Sequence, residues 1–196
     1  MDFWIANDFV CEWDWWYNSI GVGYYIPDIL LYGVDGLSKE NQDKLLKTIK
    51  DTLIYNKQVP TYIKEREVDS TGGNLLDDII SAFKVALVEK DGNTLMWLKS
   101  ILENELKPFP AYNGWPMDRS DAEGIKEDMS FQQHDQLLYF GGYGYSFMRG
   151  VNLYLKYTVG TQFQLSEKAL NDYANFILDG IQYATRGFGC DINAKG

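Results

Sequence analysis

The chain reads as an all-α domain made of stacked helical hairpins. Three observations predict that class. Apolar residues recur at helical spacing in several separate segments. Those segments are bracketed by capping residues or by glycine and proline. No strand-like alternation of any length lies between them. At 196 residues, the sequence is long enough for one domain with a sizeable core, and residues 1–196 are read as that single domain.

Residues 3–26 are dominated by Phe3, Trp4, Phe9, Trp13, Trp15, Trp16, Tyr17, Tyr24 and Tyr25. Large flat side chains of this kind serve equally as core anchors or as a shelf for sugar rings. Apolar residues continue from Ile26 to Leu37, broken by a turn at Gly33-Val34-Asp35-Gly36. Ser38 then reads as a helix cap. Over 39–55, Leu45, Leu46, Ile49, Leu53 and Ile54 fall on one helical face, and Pro60 ends the unit. The next helix spans 75–89, with Leu76, Ile79, Ile80, Phe83 and Leu87 on one side and Asn74 ahead of it as a possible cap. Asp91-Gly92-Asn93 opens a helix over about 94–106, stopped before Pro108-Phe109-Pro110, and residues 113–116 read as loop. Residues 121–142 form an extended polar crossing. A helix then starts near Tyr143 and runs through Tyr157. Ser166 caps a last helix reaching about Tyr183, ahead of the tail 184–196.

The net charge is −10 and the isoelectric point about 4.5, which argues against nucleic acid as a partner, since that binding needs basic surface. Aromatic residues reach 15%, a high share that suits stacking on sugar rings and equally suits a bulky helical core. Two distant cysteines, Cys11 and Cys190, make no metal-like pair and do not fix the redox compartment. No apolar run is long enough to span a bilayer, so no membrane partner is expected. The N-terminus lacks the basic-then-apolar plan of a signal peptide.

The chemistry concentrates in 121–148. This stretch holds the single histidine, His134, and nine residues later Tyr143, set in the run Gly141-Gly142-Tyr143-Gly144-Tyr145. An imidazole and a phenol both donate and accept hydrogen bonds, so they can serve as a proton-transfer pair, and the glycines let a ligand approach the backbone closely. The plainer reading is a satisfied loop histidine beside core tyrosines.

Glu123-Gly124-Ile125, Asp128, Ser130-Phe131, Gln133-His134, Gln136-Leu137, Tyr139 and Gly142-Tyr143-Gly144 together resemble the catalytic segment of polysaccharide lyase family 8, which contains hyaluronate, chondroitin AC and xanthan lyases. Thr71-Gly72-Gly73-Asn74-Leu75-Leu76-Asp77 resembles the family's Thr-Gly-Ala-Asn-x-x-Asp motif, with Gly for Ala at position 73. Asp14-Trp15-Trp16-Tyr17-Asn18-Ser19-Ile20-Gly21 is similar to its Asn-Trp-Trp-Asp-x-Glu-Ile-Gly stretch, keeping the Trp pair and Ile-Gly but not the acidic positions or the proline that follows. The resemblance implies an incomplete α/α toroid. It also implies β-elimination on an acidic, uronate-containing polysaccharide, with no cofactor or metal. By the same resemblance, Asn74 holds the uronate carboxylate, and His134 and Tyr143 transfer protons. Trp15 and Trp16 form an aromatic patch, and Gln133 and Arg186 join the substrate-binding set. Family members are secreted or periplasmic, so the chain is expected to start inside a larger protein. Arginines and β-rich domains of the same protein are expected to complete the cleft beyond this segment.

Two other readings compete. Glu123, Glu127, Asp128 and Asp135 crowd the same stretch, and helical toroids also host glycoside hydrolases, which work with two opposed carboxylates. A helical module that binds sugar without cutting it would use the same aromatics. A metal site is not expected from one histidine and two scattered cysteines, although a carboxylate-only calcium site stays open.

Overall fold

A computed structural model of the chain describes residues 2–7, 13, 16–52, 71–110, 123–134 and 136–196. Residues 53–55 of the first expected helix, Pro60, the loop 113–116, Cys11, Trp15 and Asp135 lie outside them. The described residues are helical in the main: α1 (Asp2–Asn7), α2 (Val22–Tyr32), α3 (Lys39–Thr52), α4 (Gly72–Glu89), α5 (Gly92–Glu105), α6 (Tyr145–Thr158), α7 (Glu167–Asn175) and α8 (Gln182–Ala184). Two short antiparallel sheets accompany them. One orders β1 (Gly124–Ile125), β2 (Phe131–Gln133) and β3 (Leu137–Leu138). The other pairs β4 (Thr185–Arg186) with β5 (Gly189–Cys190). The all-α class predicted from periodicity is the class observed.

The chain divides into two compact units, Met1–Glu65 with Asp77–Leu98, and Arg66–Leu76 with Lys99–Gly196. In the first, Ile5, Val22, Ile26, Leu30, Leu45, Ile49 and Val85 form one apolar cluster. Leu45 and Ile49, one helical turn apart on α3, are fully buried. Burial of each stabilises by about 1.5–3 kcal/mol. Ser38 accepts the amide of Asn41 at 3.2 Å, as a cap should. α2 was not foreseen as a helix because the apolar run there has no period and Pro27 lies inside it. A proline there removes one helical donor, yet the stripe Val22, Ile26 and Leu30 keeps α2 packed on the cluster. Lys84 is buried on α4, and its ammonium donates to the Tyr24 carbonyl and to the Asp28 carboxylate, each at 2.9 Å.

The second unit is held by aromatic packing. Phe131 from β2 meets Phe147 of α6 at 5.2 Å and Phe176 at 6.1 Å between ring centroids. Phe140 and Phe176 stack at 6.3 Å. Each of these two residues opens a π-helical turn, Phe140–Gly144 leading into α6 and Phe176–Ile181 continuing α7. Ser166 caps α7 through the Ala169 amide. In the first unit, Asp91 caps α5, accepting from the Asn93 and Thr94 amides and, at 2.6 Å, from the Thr94 hydroxyl. The Thr94 hydroxyl is the main reason its carboxyl sits below the usual carboxylate range.

Candidate active site

The expected polar crossing is a small three-stranded sheet. β1 pairs with β2 through Gly124↔Gln132 and Ile125↔Phe131. β2 pairs with β3 through Gln132↔Leu138 and Gln133↔Leu137. Alternate residues of a strand face opposite sides. Phe131 and Gln133 therefore point inward and are fully buried. His134 follows directly, exposed at the β2–β3 connection, where its backbone takes φ +52° and Gln136 takes +73°. Left-handed backbone costs an L-residue about 1–2 kcal/mol, and histidine tolerates it better than most.

Beyond β3 the π-helical turn brings Tyr143 back to the histidine. The His134 and Tyr143 rings lie edge to face at 4.8 Å and 84°. Tyr139, given no role by the sequence reading, completes the group at 5.1 Å from Tyr143 and 6.0 Å from His134. Its place among the matched family positions was the only signal for it.

Asn74 comes to this place on the first turn of α4. The helix starts at Gly72, three residues earlier than a cap at Asn74 would require, and the Leu75 amide already bonds the Thr71 carbonyl. Asn74 is therefore not the cap. Its Oδ1 is buried and, among the described residues, has no hydrogen-bond partner. The two ends of an amide are interchangeable in such an assignment, so the finding is one unengaged polar edge of Asn74. Gly73, just before it, lies against Tyr143: a Cβ built on Gly73 would stand 2.8 Å from Tyr143 Cδ1. The Gly-for-Ala departure from the family motif thus coincides with a close approach of that ring.

Three buried or half-buried polar side chains fix the start of α4 against the sheet. Glu105 accepts the Gly72 amide at 2.7 Å. Gln133 Oε1 accepts the Gly73 amide at 3.0 Å, while its Nε2 donates to Glu123 Oε2. Glu123 Oε1 accepts the His134 amide at 2.6 Å, and the Glu123 amide donates to Thr71 Oγ1 at 3.0 Å. Both ends of the Gln133 amide are thus engaged within the protein, in place of the substrate contact expected of it. Glu105 escaped the sequence reading because an acidic residue ordinarily marks a solvated face and its partner is remote in sequence, and Glu123 reads from sequence as a matched family position or one of a hydrolase's acids, not as a support for His134.

Trp16 belongs to the first unit, is 37% exposed, and rests on Gly21. Arg186 is exposed on β4, and Arg149 is exposed on α6. Of the acidic group, Glu123 is engaged as described, and Glu127 and Asp128 stand exposed in the β1–β2 turn, where Asp128 accepts the Ser130 amide. A pocket of about 430 Å³ opens in the second unit among Asp128, Phe140, Asp179, Tyr183 and Asn193, and His134, Tyr143 and Asn74 do not line it. The Cys190 thiol is free and half-buried, and burial pushes its pKa up. Among the described residues, no cluster of three His, Cys, Asp or Glu side chains is placed to hold a metal, and no helix is long and apolar enough to cross a membrane.

Fold and site define a helical domain that sets an amide edge, an imidazole and two phenols around one helix start. The chain belongs to polysaccharide lyase family 8: residues 1–184 match that family's N-terminal α-helical domain. It is similar to the family 8 polysaccharide lyase HylA of Enterococcus faecalis, 24% identical over 171 residues, and to the hyaluronate lyase HylB of the same organism, 23% identical over 169 residues. Those matches cover 85% and 82% of this chain but only 11% and 16% of the two relatives. Its fold is similar to that of a chondroitinase AC lyase solved with oligosaccharides, with a TM-score of 0.78 and 23% identity over 100% of this chain and 26% of that one. It is also similar to a Paenibacillus xanthan lyase, with a TM-score of 0.67 and 22% identity over 91% of this chain and 15% of that one. At these identities the structural likeness establishes the fold alone. The family resemblance read from residues 71–77 and 123–144 is borne out.

Proposed function

We propose that this domain carries the carboxylate-holding and proton-transferring groups of a polysaccharide lyase that cleaves uronate-containing chains by β-elimination. The observation that carries the reading is the His134–Tyr143 pair at 4.8 Å, set beside the helix start that bears Asn74. In the reaction, a proton leaves C5 of the uronate, the C4–O bond breaks, and a C4=C5 double bond forms. The C5 proton is weakly acidic, so the step needs a base within hydrogen-bond reach and a partner for charge gathering on the carboxylate.

The unengaged amide edge of Asn74 suits the carboxylate. Tyr143 takes the C5 proton and returns a proton to the leaving oxygen, and His134 assists as a second base or by polarising the carboxylate. A phenol near its ordinary pKa of about 10 is a poor base, so nearby positive charge must lower it. In this reading that charge, and the far wall of the cleft, come from arginines and β-rich domains outside the present segment, and the isolated chain turns over little. Trp15 and Trp16 supply a shelf on which sugar rings stack, Arg186 an additional contact. The protein acts outside the cell, on an acidic polysaccharide of the hyaluronan, chondroitin or xanthan kind.

The test is incubation of the full-length protein that contains this domain with each of these three polymers. The expected result is rising ultraviolet absorbance from the unsaturated uronate, nearly abolished by Tyr143→Phe. New reducing ends without that absorbance would replace the lyase reading with a hydrolase. Binding that survives loss of both His134 and Tyr143, in a protein with no turnover, would replace it with a sugar-binding module.

A further inference from the structure

Glu123 bonds three segments that carry residues of the proposed reaction or flank them. One carboxylate oxygen holds the His134 amide at 2.6 Å, where the backbone is in the left-handed region. The other oxygen takes the Gln133 side-chain N–H, and Gln133 passes the constraint to the Gly73 amide at 3.0 Å, next to Asn74 and against Tyr143. The Glu123 amide itself is tied to Thr71 Oγ1, directly ahead of α4. These bonds tie segment 71–74 to residues 123 and 133–134, which lie some fifty to sixty residues further along the chain. Gln133 is fully buried, so it touches no substrate.

We infer that Glu123 and Gln133 form a clip of positioning residues that sets the imidazole of His134 at a fixed offset from the amide of Asn74. The inference rests on the lyase reading for its effect on turnover, but not for its effect on the His134 amide. Its physical content is the direction of each hydrogen bond. Position 123 must accept twice. Position 133 must donate once towards 123 and accept once from Gly73. The substitution Glu123→Gln keeps the shape but sets an NH₂ against the NH₂ of Gln133, so one bond of the clip is lost. The substitution Gln133→Glu sets two carboxylates face to face. The double substitution Glu123→Gln with Gln133→Glu restores every donor–acceptor pair with the amide and the acid exchanged, at unchanged net charge.

The experiment is a comparison of the full-length native protein with these three variants made in it, using formation of unsaturated uronate and amide hydrogen exchange at His134. Each single variant is expected to lower kcat about ten- to hundredfold, with KM changed by less than about threefold, the size of effect that a sub-ångström misplacement of a catalytic group produces. The double variant is expected to recover kcat to within about threefold of the native protein. Exchange at the His134 amide is expected to be slow in the native protein and in the double variant and faster in the single variants, whose mismatched pair at 123 and 133 loosens the hold on that amide. A side chain that merely stabilised the fold would not be rescued by exchanging amide for acid. Full turnover in Glu123→Gln, or a double variant no better than the worse single one, would overturn the inference. A native His134 amide exchanging at the rate of an open loop would do so too, and that measurement decides the matter if the single variants do not fold. If the native protein makes no unsaturated product on any polymer, the lyase reading fails, and the exchange data alone decide whether the clip exists.

Discussion

Replacing Gly72 by alanine should injure the fold and the site together, and a second glycine separates the two causes. Gly72 opens α4 with φ +59°. A Cβ there meets two obstacles. The left-handed backbone costs about 1–2 kcal/mol. The methyl group would also overlap Gln133 Oε1 and stand 3.3 Å from Glu123 Cβ, so the Gln133 carbonyl must leave the Gly73 amide. A buried donor left without its partner costs about 1–3 kcal/mol more. Gly160 supplies the control, since its φ is +75° and a Cβ there meets nothing within 4 Å. Gly160→Ala should therefore show the backbone cost alone. Gly72→Ala should exceed it by about 1–3 kcal/mol, which for a domain of this size is roughly 2–12 °C in melting temperature. Urea and thermal unfolding of the two variants, measured side by side, give the difference. Equal destabilisation would mean that Gln133 does not occupy the space described, and the account of how α4 is fixed to the sheet would fail with it.

Two further outcomes follow from the same geometry. Asn74→Leu removes a buried oxygen that lacks a partner, so the variant should melt no lower than the parent, and up to several degrees higher, while turnover falls by about 10²–10³. Calorimetry with the uronate assay checks both, and undiminished turnover would remove Asn74 from the reacting centre. Tyr173 is buried on α7 with its hydroxyl 3.1 Å from Asn152 Oδ1. Burial pushes its pKa up to about 12, against the smaller, opposite effect of the Asn152 bond. Between the ordinary tyrosine value near 10 and about 12, the unfolded chain has released this proton and the folded one has not. Stability is therefore intact below that window and falls across it by about 1.4 kcal/mol per pH unit. Tyr173→Phe should flatten this alkaline decline by one proton's worth. An unchanged slope in unfolding measured from pH 9 to 12 would contradict the burial of that hydroxyl.

Much of the helical framework was legible because capping is local chemistry. Ser38, Asp91 and Ser166 each announce a helix within four residues, and each caps one. Apolar spacing on α3 and α4 marked Leu45, Ile49, Leu76, Ile79, Ile80 and Phe83 for the core, where they are buried. Legibility ended where partners are distant. Asn74 has the composition of a cap, but Glu105 and Gln133 draw the helix start back to Gly72 through bonds spanning 33 and 60 residues. Gln133 carried the look of a substrate contact, yet three residues of strand turn it to the same side as Phe131. Nothing in a stretch of glycine and tyrosine tells a π-helical turn from an α-helical one, since the two differ by which carbonyl each amide reaches.

That turn has a consequence for how the sequence can change length. The Phe140–Gly144 turn houses one residue more than an α-helix would in the same rise. Deleting either Gly141 or Gly142 would remove that extra residue and leave the link from His134 to Tyr143 one residue short. The interval from His134 to Tyr143 should therefore hold to a constant count among its kin.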